Sequence, residues 1–378
     1  MCIKSLELRL GKDKKGLYEK VEKSRFYKSP KQKRDPLLPL DLQFQYNFRP
    51  LQRQRQHQLA KLFLHIGTHK TGTTAIQSML WERRRELARE GILYPKVGIE
   101  GAAHHKLAWA CGLGNRDLKL DYLTDAFEGI TRQASKFGTD IVLSSEEFGY
   151  LHDLDPLKVL LDLFDVKVIL YVRKQDHYLE SVYNQHVRMY SLRYSGSIYQ
   201  FFQRFNFFNQ FNYRMLAGRW EKIFGRENLL VRPYGTGLVK SDVRADFLNV
   251  IGIAPKSNWS GKSTQKTDNI SLPVAAIPYL SYINKMHLTK GQHQNLLSLL
   301  NKSEPRGEKV RLLRNEDALE LYKKFEQSNQ VLFSRYLNSG SVPFDELLPA
   351  DFEKSWVNHE QIDVRKLLSI LDNVLTPS

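Results

Sequence analysis

The chain is poor in cysteine, in long apolar runs and in clustered acid. Its 378 residues include two cysteines, Cys2 and Cys111. They form no disulfide framework and no thiolate metal site, which fits a reducing compartment. No window approaches the roughly 18 uninterrupted apolar residues of a membrane-crossing helix. The basic N-terminal residues precede no apolar segment of the signal-peptide kind. A cytoplasmic protein without a transmembrane segment is expected, with peripheral membrane contact left open. No acidic cluster suited to magnesium stands out.

Positive charge, by contrast, is abundant and unevenly placed. The net charge is +16, and residues 1–60 hold nine Lys and six Arg against six Asp/Glu, or +9 of it. Frequent charges and Pro30, Pro36, Pro39 and Pro50 work against a packed element there. Residues 1–58 are expected to be a basic extension, disordered or loosely attached. No base-reading or aromatic-stacking motif accompanies it, so no nucleic-acid partner is expected. A hydrophobic fraction of 42% leaves ample material for a large core in 59–378.

That remainder is organised around Leu62-Phe-Leu-His-Ile-Gly67-Thr-His-Lys70-Thr71-Gly72-Thr73-Thr74-Ala-Ile-Gln-Ser-Met-Leu80. The apolar run suits a buried parallel strand. Gly67 and Gly72 permit a tight turn, Thr73 and Thr74 are expected to cap a helix, and Ile76, Met79 and Leu80 recur at helical spacing. Such a loop aims main-chain N–H groups and a helix N-terminus at one spot, an anion cradle to which Lys70 adds a full charge. The nucleoside-triphosphatase loop places its lysine after the second glycine, beside a magnesium-binding Ser/Thr. Here Lys70 precedes Gly72, so that pattern does not apply.

Two further strands are expected. One covers Asp140 to Leu143 and runs into Ser144-Ser145-Glu146-Glu147; the other covers Val166 to Val172 and ends in Arg173, with helical sequence from Lys174 to His186. Ligands of parallel sheets sit beyond the C-terminal strand ends. Glu146 is therefore a candidate for acid–base work, the alternative being a serine-capped helix start without chemistry. Arg173, with its bidentate fork, and Ser181, eight residues on, can close on one phosphate; the alternative for Arg173 is an ion pair with Asp176 or Glu180. Neighbouring His104 and His105 do not converge on one point of a helix, so no metal is expected. Helices are expected over Leu118–Phe137, ended by Gly138, and within 272–300 and 315–338.

The glycine–lysine loop and the later strand-end arginine with its serine resemble, together, the PAPS-dependent sulfotransferases. PAPS, 3′-phosphoadenosine-5′-phosphosulfate, is their sulfuryl donor. The phrases Ile92-Leu-Tyr-Pro95, Ser144-Ser-Glu146, Tyr213 through Trp220 and Phe224 through Tyr234 are similar to the bacterial carbohydrate-type branch. The similarity spans about 61–254. It implies a P-loop-like α/β fold, three-layer α/β/α around a central parallel sheet, with a helical C-terminal part over 255–378. It also implies that Lys70, Thr71, Gly72, Thr73 and Thr74 hold the 5′-phosphosulfate and that Arg173 and Ser181 hold the 3′-phosphate. Lys262 matches the position of a basic loop that closes over the donor.

The resemblance implies in-line transfer to a hydroxyl or amine of a carbohydrate acceptor, an anionic polysaccharide being compatible with the mildly basic domain. Lys70 would neutralise the leaving phosphate, and Glu146 would take the acceptor proton, with His69, His104 and His105 as other candidates for the base. A phosphoryl transferase and a non-catalytic nucleotide- or glycan-binding relative are the alternatives. The oligomeric state is left open.

Overall fold

Five parallel strands form the central sheet, in the order β2-β3-β1-β4-β5. They are β1 Lys61–His65, β2 Ile92–Leu93, β3 Asp140–Ser144, β4 Asp165–Arg173 and β5 Leu229–Tyr234. The computed structural model describes residues 59–375 apart from 115, 206, 240–241, 256–271, 304–309, 339 and 360. The basic N-terminal stretch and Lys262 lie outside these. β1 is central and pairs with β3 on one side and β4 on the other. The expected α/β/α fold is present.

Alternation along the strands decides which side chain enters which layer. Leu62, Leu64 and Ile66 of β1 and its exit, with Val166, Val168, Leu170 and Val172 of β4, join one core cluster. Phe63, Ile169 and Tyr171 point the other way, into a second. The helices covering the second face are α1 Thr73–Glu82, α2 Arg84–Arg89 and, later in the chain, Val243–Val250, which supply Ile76, Met79, Leu80, Leu87, Phe247 and Leu248. Helices α1 and α2 are separated at Arg83.

The first face is covered by helices that the sequence places far apart. After α3 (His105–Ala110), α4 (Leu120–Phe137) contributes Leu123, Phe127 and Ile130, and ends at Gly138 in the left-handed conformation, as expected. Beyond β4 and α5 (Gln175–Arg188), α6 (Tyr213–Phe224) adds Trp220 and Phe224. Helix α7 is the Val243–Val250 helix of the other layer. Helix α9 (Asn315–Leu337), which follows α8 (Lys290–Ser303), adds Tyr322, Leu332 and Phe333 to the same core. The C-terminal part thus completes the sheet's packing.

A third cluster packs α5 against this C-terminal part, with Tyr178, Leu179, Val182 and Tyr183 meeting Ile277, Leu280, Leu296, Leu321 and Phe325. A two-stranded sheet, β6 Val310–Arg311 with β7 Ser355–Trp356, sits in that region. Among the described residues no helix is long and apolar enough to cross a membrane.

Candidate functional site

The loop after β1 lies where ligands gather in such sheets, beyond the C-terminal strand ends. Gly67, Lys70 and Gly72 all have positive φ, at 50°, 65° and 79°. For Lys70 this conformation is strained, and the loop is held by specific bonds. Thr71 Oγ1 donates to the Thr68 carbonyl at 2.6 Å, and Thr68 Oγ1 donates to the Tyr171 carbonyl at 3.0 Å. The Thr71 hydroxyl is therefore engaged inside the loop, which leaves its main-chain N–H for an anion.

Helix α1 starts from Gly72 in the left-handed conformation with no side-chain cap. This corrects the expectation that Thr73 or Thr74 caps it; they are its first two residues, Thr73 buried and Thr74 exposed. Among the described residues, the main-chain N–H groups of Lys70, Thr71, Gly72, Thr73 and Thr74 make no hydrogen bond within the protein. Five unpaired donors on one turn, at the positive end of a helix, suit a phosphate or sulfate group.

Arg173 closes the other side. Its Nη1 donates to the Lys70 carbonyl, 103 residues away, at 2.8 Å. Its guanidinium carbon lies 5.5 Å from the centre of the Tyr234 ring, and Tyr213 Oη donates to its carbonyl at 2.6 Å. The expected alternative, an ion pair with Asp176 or Glu180, is not formed: Asp176 pairs with Lys174 and Arg311, and Glu180 pairs with Arg311. Ser181 is half-buried on α5, in its second turn.

Lys70 sits among like charges. Burial and the nearby Arg188 and Arg173 push its ammonium down to about 8, with Glu146 partly opposing. Arg188, at the end of α5, is a cation that motif reading did not single out. Its sequence signal is only a charge in a last helical turn.

Glu146 faces the loop from the end of β3, at the start of the short 3₁₀ turn Glu146–Tyr150, with Ser145 capping through the Glu147 N–H. A Cβ on Gly67 would stand 3.3 Å from Glu146 Cβ and 2.8 Å from Thr73 Cγ2. Glycine there lets the carboxylate-bearing turn pack onto the cradle. Gln77 Nε2 donates to Glu146 Oε2 at 2.7 Å. Burial works against the Glu146 charge, but His69, the Gln77 amide and His105 outweigh it and hold the carboxyl below the ordinary glutamate range.

The three histidines separate. His104 is fully buried, and its Nδ1 accepts from the Ser144 N–H at 3.1 Å. Its other nitrogen must then carry the proton given to the Pro95 carbonyl at 2.9 Å. With both nitrogens engaged, His104 is a strut, not a base. His105 Nδ1 lies 2.8 Å from Ser145 Oγ, and its ring stacks on Trp109. His69 packs on the Tyr150 ring, and its Nε2 is buried without a partner; burial holds it below its ordinary value, opposed by Glu146 and Glu147.

Asp176, His177 and Asp351 place ligand atoms within 4.8 Å of one another. Their oxygens are already matched: Lys174 Nζ lies 2.8 Å from both carboxylates, Arg311 2.8 Å from Asp176 and Lys354 2.7 Å from Asp351. The cluster is a buried ion network that braces α5.

No family model matches the chain, and no curated protein matches it. Among solved structures, the sulfotransferase domain from the Synechococcus PCC 7002 olefin synthase superposes with a TM-score of 0.31 at 15% identity, covering 72% of this chain and 98% of that one. A likeness of that size carries no functional argument.

Proposed function

We propose that the chain transfers a sulfuryl group from PAPS to a hydroxyl or amine of a carbohydrate acceptor. The observation that carries this is the Arg173–Lys70 contact, which joins the strand-end arginine to a cradle with five unpaired N–H groups. In this reading Lys70, Thr71, Gly72, Thr73 and Thr74 hold the 5′-phosphosulfate through main-chain N–H groups and the Lys70 charge. Arg173 and Ser181 hold the 3′-phosphate. The carbohydrate class is supported by the resemblance of the Ile92–Pro95 and Ser144–Glu146 phrases. In the fold these phrases are tied together, since His104 bonds both Pro95 and Ser144.

Sulfuryl transfer breaks the S–O bond to the leaving phosphate and forms one to the acceptor oxygen or nitrogen. Lys70 and the helix N-terminus stabilise the charge that collects on the leaving phosphate. Glu146, held ionised beside the cradle, takes the acceptor proton. Lys70 follows β1, Glu146 follows β3 and Arg173 ends β4, three adjacent strands, which supports a site held in position before substrates bind.

The deciding experiment is calorimetric titration with 3′-phosphoadenosine-5′-phosphate (PAP), AMP and ATP with magnesium. Preference for PAP, lost in Arg173→Ala, supports the donor. Equal or tighter binding of ATP with magnesium would replace sulfuryl by phosphoryl transfer, and no nucleotide binding would leave a non-catalytic relative.

A further inference from the structure

Helix α1 starts at the cradle and packs Ile76, Met79 and Leu80 into the second core, with Thr73, Gln77 and Ser78 buried beside them. Gln77 is only 4% exposed yet polar. A buried amide on a helix needs a partner. Its partner is Glu146 Oε2, 69 residues away and at 2.7 Å. The same helix begins at Gly72, five unpaired N–H groups being gathered at its start. Gln77 lies five positions along from Gly72, a span of about 7–8 Å along the axis. One rigid element thus touches the donor cradle at its end and the carboxylate one turn and a half later.

We infer that Gln77 is a positioning residue for the transfer, anchoring the Glu146 carboxylate at a set distance from the cradle through α1. The inference rests on the sulfuryl-transfer reading and adds to it the residue that orients the base. An amide donor suits this task because it bonds the ionised carboxylate without bringing a charge of its own. A lysine there would form an ion pair and weaken the base. The amide engages one carboxylate oxygen, Oε2. The close packing of Glu146 Cβ over Gly67 restrains the backbone from which the carboxylate extends, so its two restraints come from the two ends of the same loop–helix unit.

Glu146 has charged and titratable neighbours on every side: His69 and Lys70 from the loop, His65 from β1, Tyr94 beyond β2, His105 from α3 and Glu147 beside it. Only a substitution at residue 77 removes the amide while leaving these in place.

The test is a carbon-13 titration of glutamate-labelled protein, with the Glu146 carboxyl signal identified by its absence in Glu146→Gln. In Gln77→Leu the Glu146 midpoint is expected to rise by about one pH unit, the loss of one hydrogen bond to the charged form, while PAP affinity stays within about twofold of wild type. An unmoved midpoint accompanied by a lower melting temperature would overturn the inference and leave Gln77 as a structural tie. Should Gln77→Leu not fold, Gln77→Glu keeps the side-chain length. It sets two carboxyls in contact, and the pair should then retain a proton about a unit or more above the wild-type Glu146 midpoint; an unmoved midpoint overturns the inference here too. Failure of the sulfuryl-transfer reading shows separately, as absence of PAP binding by the wild-type chain.

Discussion

The Arg173 guanidinium donates to the main-chain carbonyl of Lys70 at 2.8 Å, so the end of β4 holds the loop that follows β1. Lys70 has a φ of 65°, and the bond restrains that strained residue from outside the loop. Arg173 then has two tasks in the proposed site, loop tether and 3′-phosphate ligand. Arg173→Ala should weaken PAP about ten- to hundredfold, the range for a hydrogen bond to a charged group of roughly 1.5–3 kcal/mol. AMP, which lacks the 3′-phosphate, should lose less than tenfold. Equal losses for PAP and AMP in calorimetry would leave the tether as the residue's only task.

What the sequence revealed of this site follows from how local each signal is. The apolar strands, the glycines of the loop and the stop at Gly138 depend on neighbours a few residues away, and each stands where expected. Arg173 was legible because strand ends are where ligands sit. The cap of α1 was misread, because Gly72 in the left-handed conformation starts the helix without a hydroxyl. β5 showed no clear strand pattern: Pro233 interrupts it, which only an edge strand tolerates, and Arg232 is committed to Asp246. Gln77 and Glu146, 69 residues apart, and Lys174 and Asp351, 177 apart, carry no local signature of their partnership. His104 looked chemical beside His105, but only the Pro95 and Ser144 contacts show it to be a strut.

Gly72 is conformationally and sterically required. Its φ is 79°, and a Cβ would stand 2.7 Å from Val243 Cγ1 and 3.3 Å from Tyr234 Cε2. Left-handed strain alone costs about 1–2 kcal/mol, and the clash adds to it at the point where the helix presents its N–H groups. Gly72→Ala should lower stability by at least that amount in urea unfolding and abolish measurable PAP binding. Gly138→Ala is the control: φ is 61° with nothing within 4 Å, so strain should appear without any change in PAP affinity. Normal PAP binding by Gly72→Ala would reject the cradle.

The ion network beneath α5 should contribute stability that is lost in acid. Burial disfavours the Asp351 charge, but bonds from His177, Lys174 and Lys354 outweigh it and hold the carboxyl well below its ordinary value. Such a group contributes stability that is present above the unfolded value, near about 4, and is lost as pH falls through the folded one. Asp176 behaves in the same sense. Removing Asp351 strands the fully buried Lys174 with Asp176 alone. Asp351→Ala should therefore cost about 3–5 kcal/mol at neutral pH, with the cost shrinking below about pH 4. A loss under about 1 kcal/mol in urea unfolding would show that the network is dispensable.

Lys70 should report anion binding as proton uptake. Free of ligand, its ammonium is held at about 8 by burial and by Arg188 and Arg173, so near pH 8.5 the amine is mostly neutral. A phosphate in the cradle favours the charged form and raises that value. PAP binding at pH 8.5 should take up a fraction of a proton, seen as a dependence of the binding enthalpy on buffer ionisation heat. At pH 6.5, where Lys70 is already charged, its part of the uptake should vanish. Lys70→Met should lose the uptake at pH 8.5. If Lys70→Met keeps it in full, another group is the one titrating.

Glu146→Gln separates donor binding from chemistry. The substitution keeps the side-chain shape and removes the negative charge, so PAP affinity should change by less than about threefold. Turnover, followed as PAP release with an acceptor taken from a polysaccharide screen, should fall about 100- to 10,000-fold if the residue is the base. The pH profile adds a second criterion. A carboxyl held below the ordinary glutamate value stays ionised down to below about pH 4.3, so the wild-type acid limb should lie under that value. His69 is the rival, with a buried unpartnered Nε2 and a value lowered from 6.5 by burial. An acid limb between about 4.5 and 6.5, with Glu146→Gln near full activity and His69→Ala inactive, would transfer the role to His69. Loss of turnover in Glu146→Gln alone, with PAP still bound, would place the proton on Glu146.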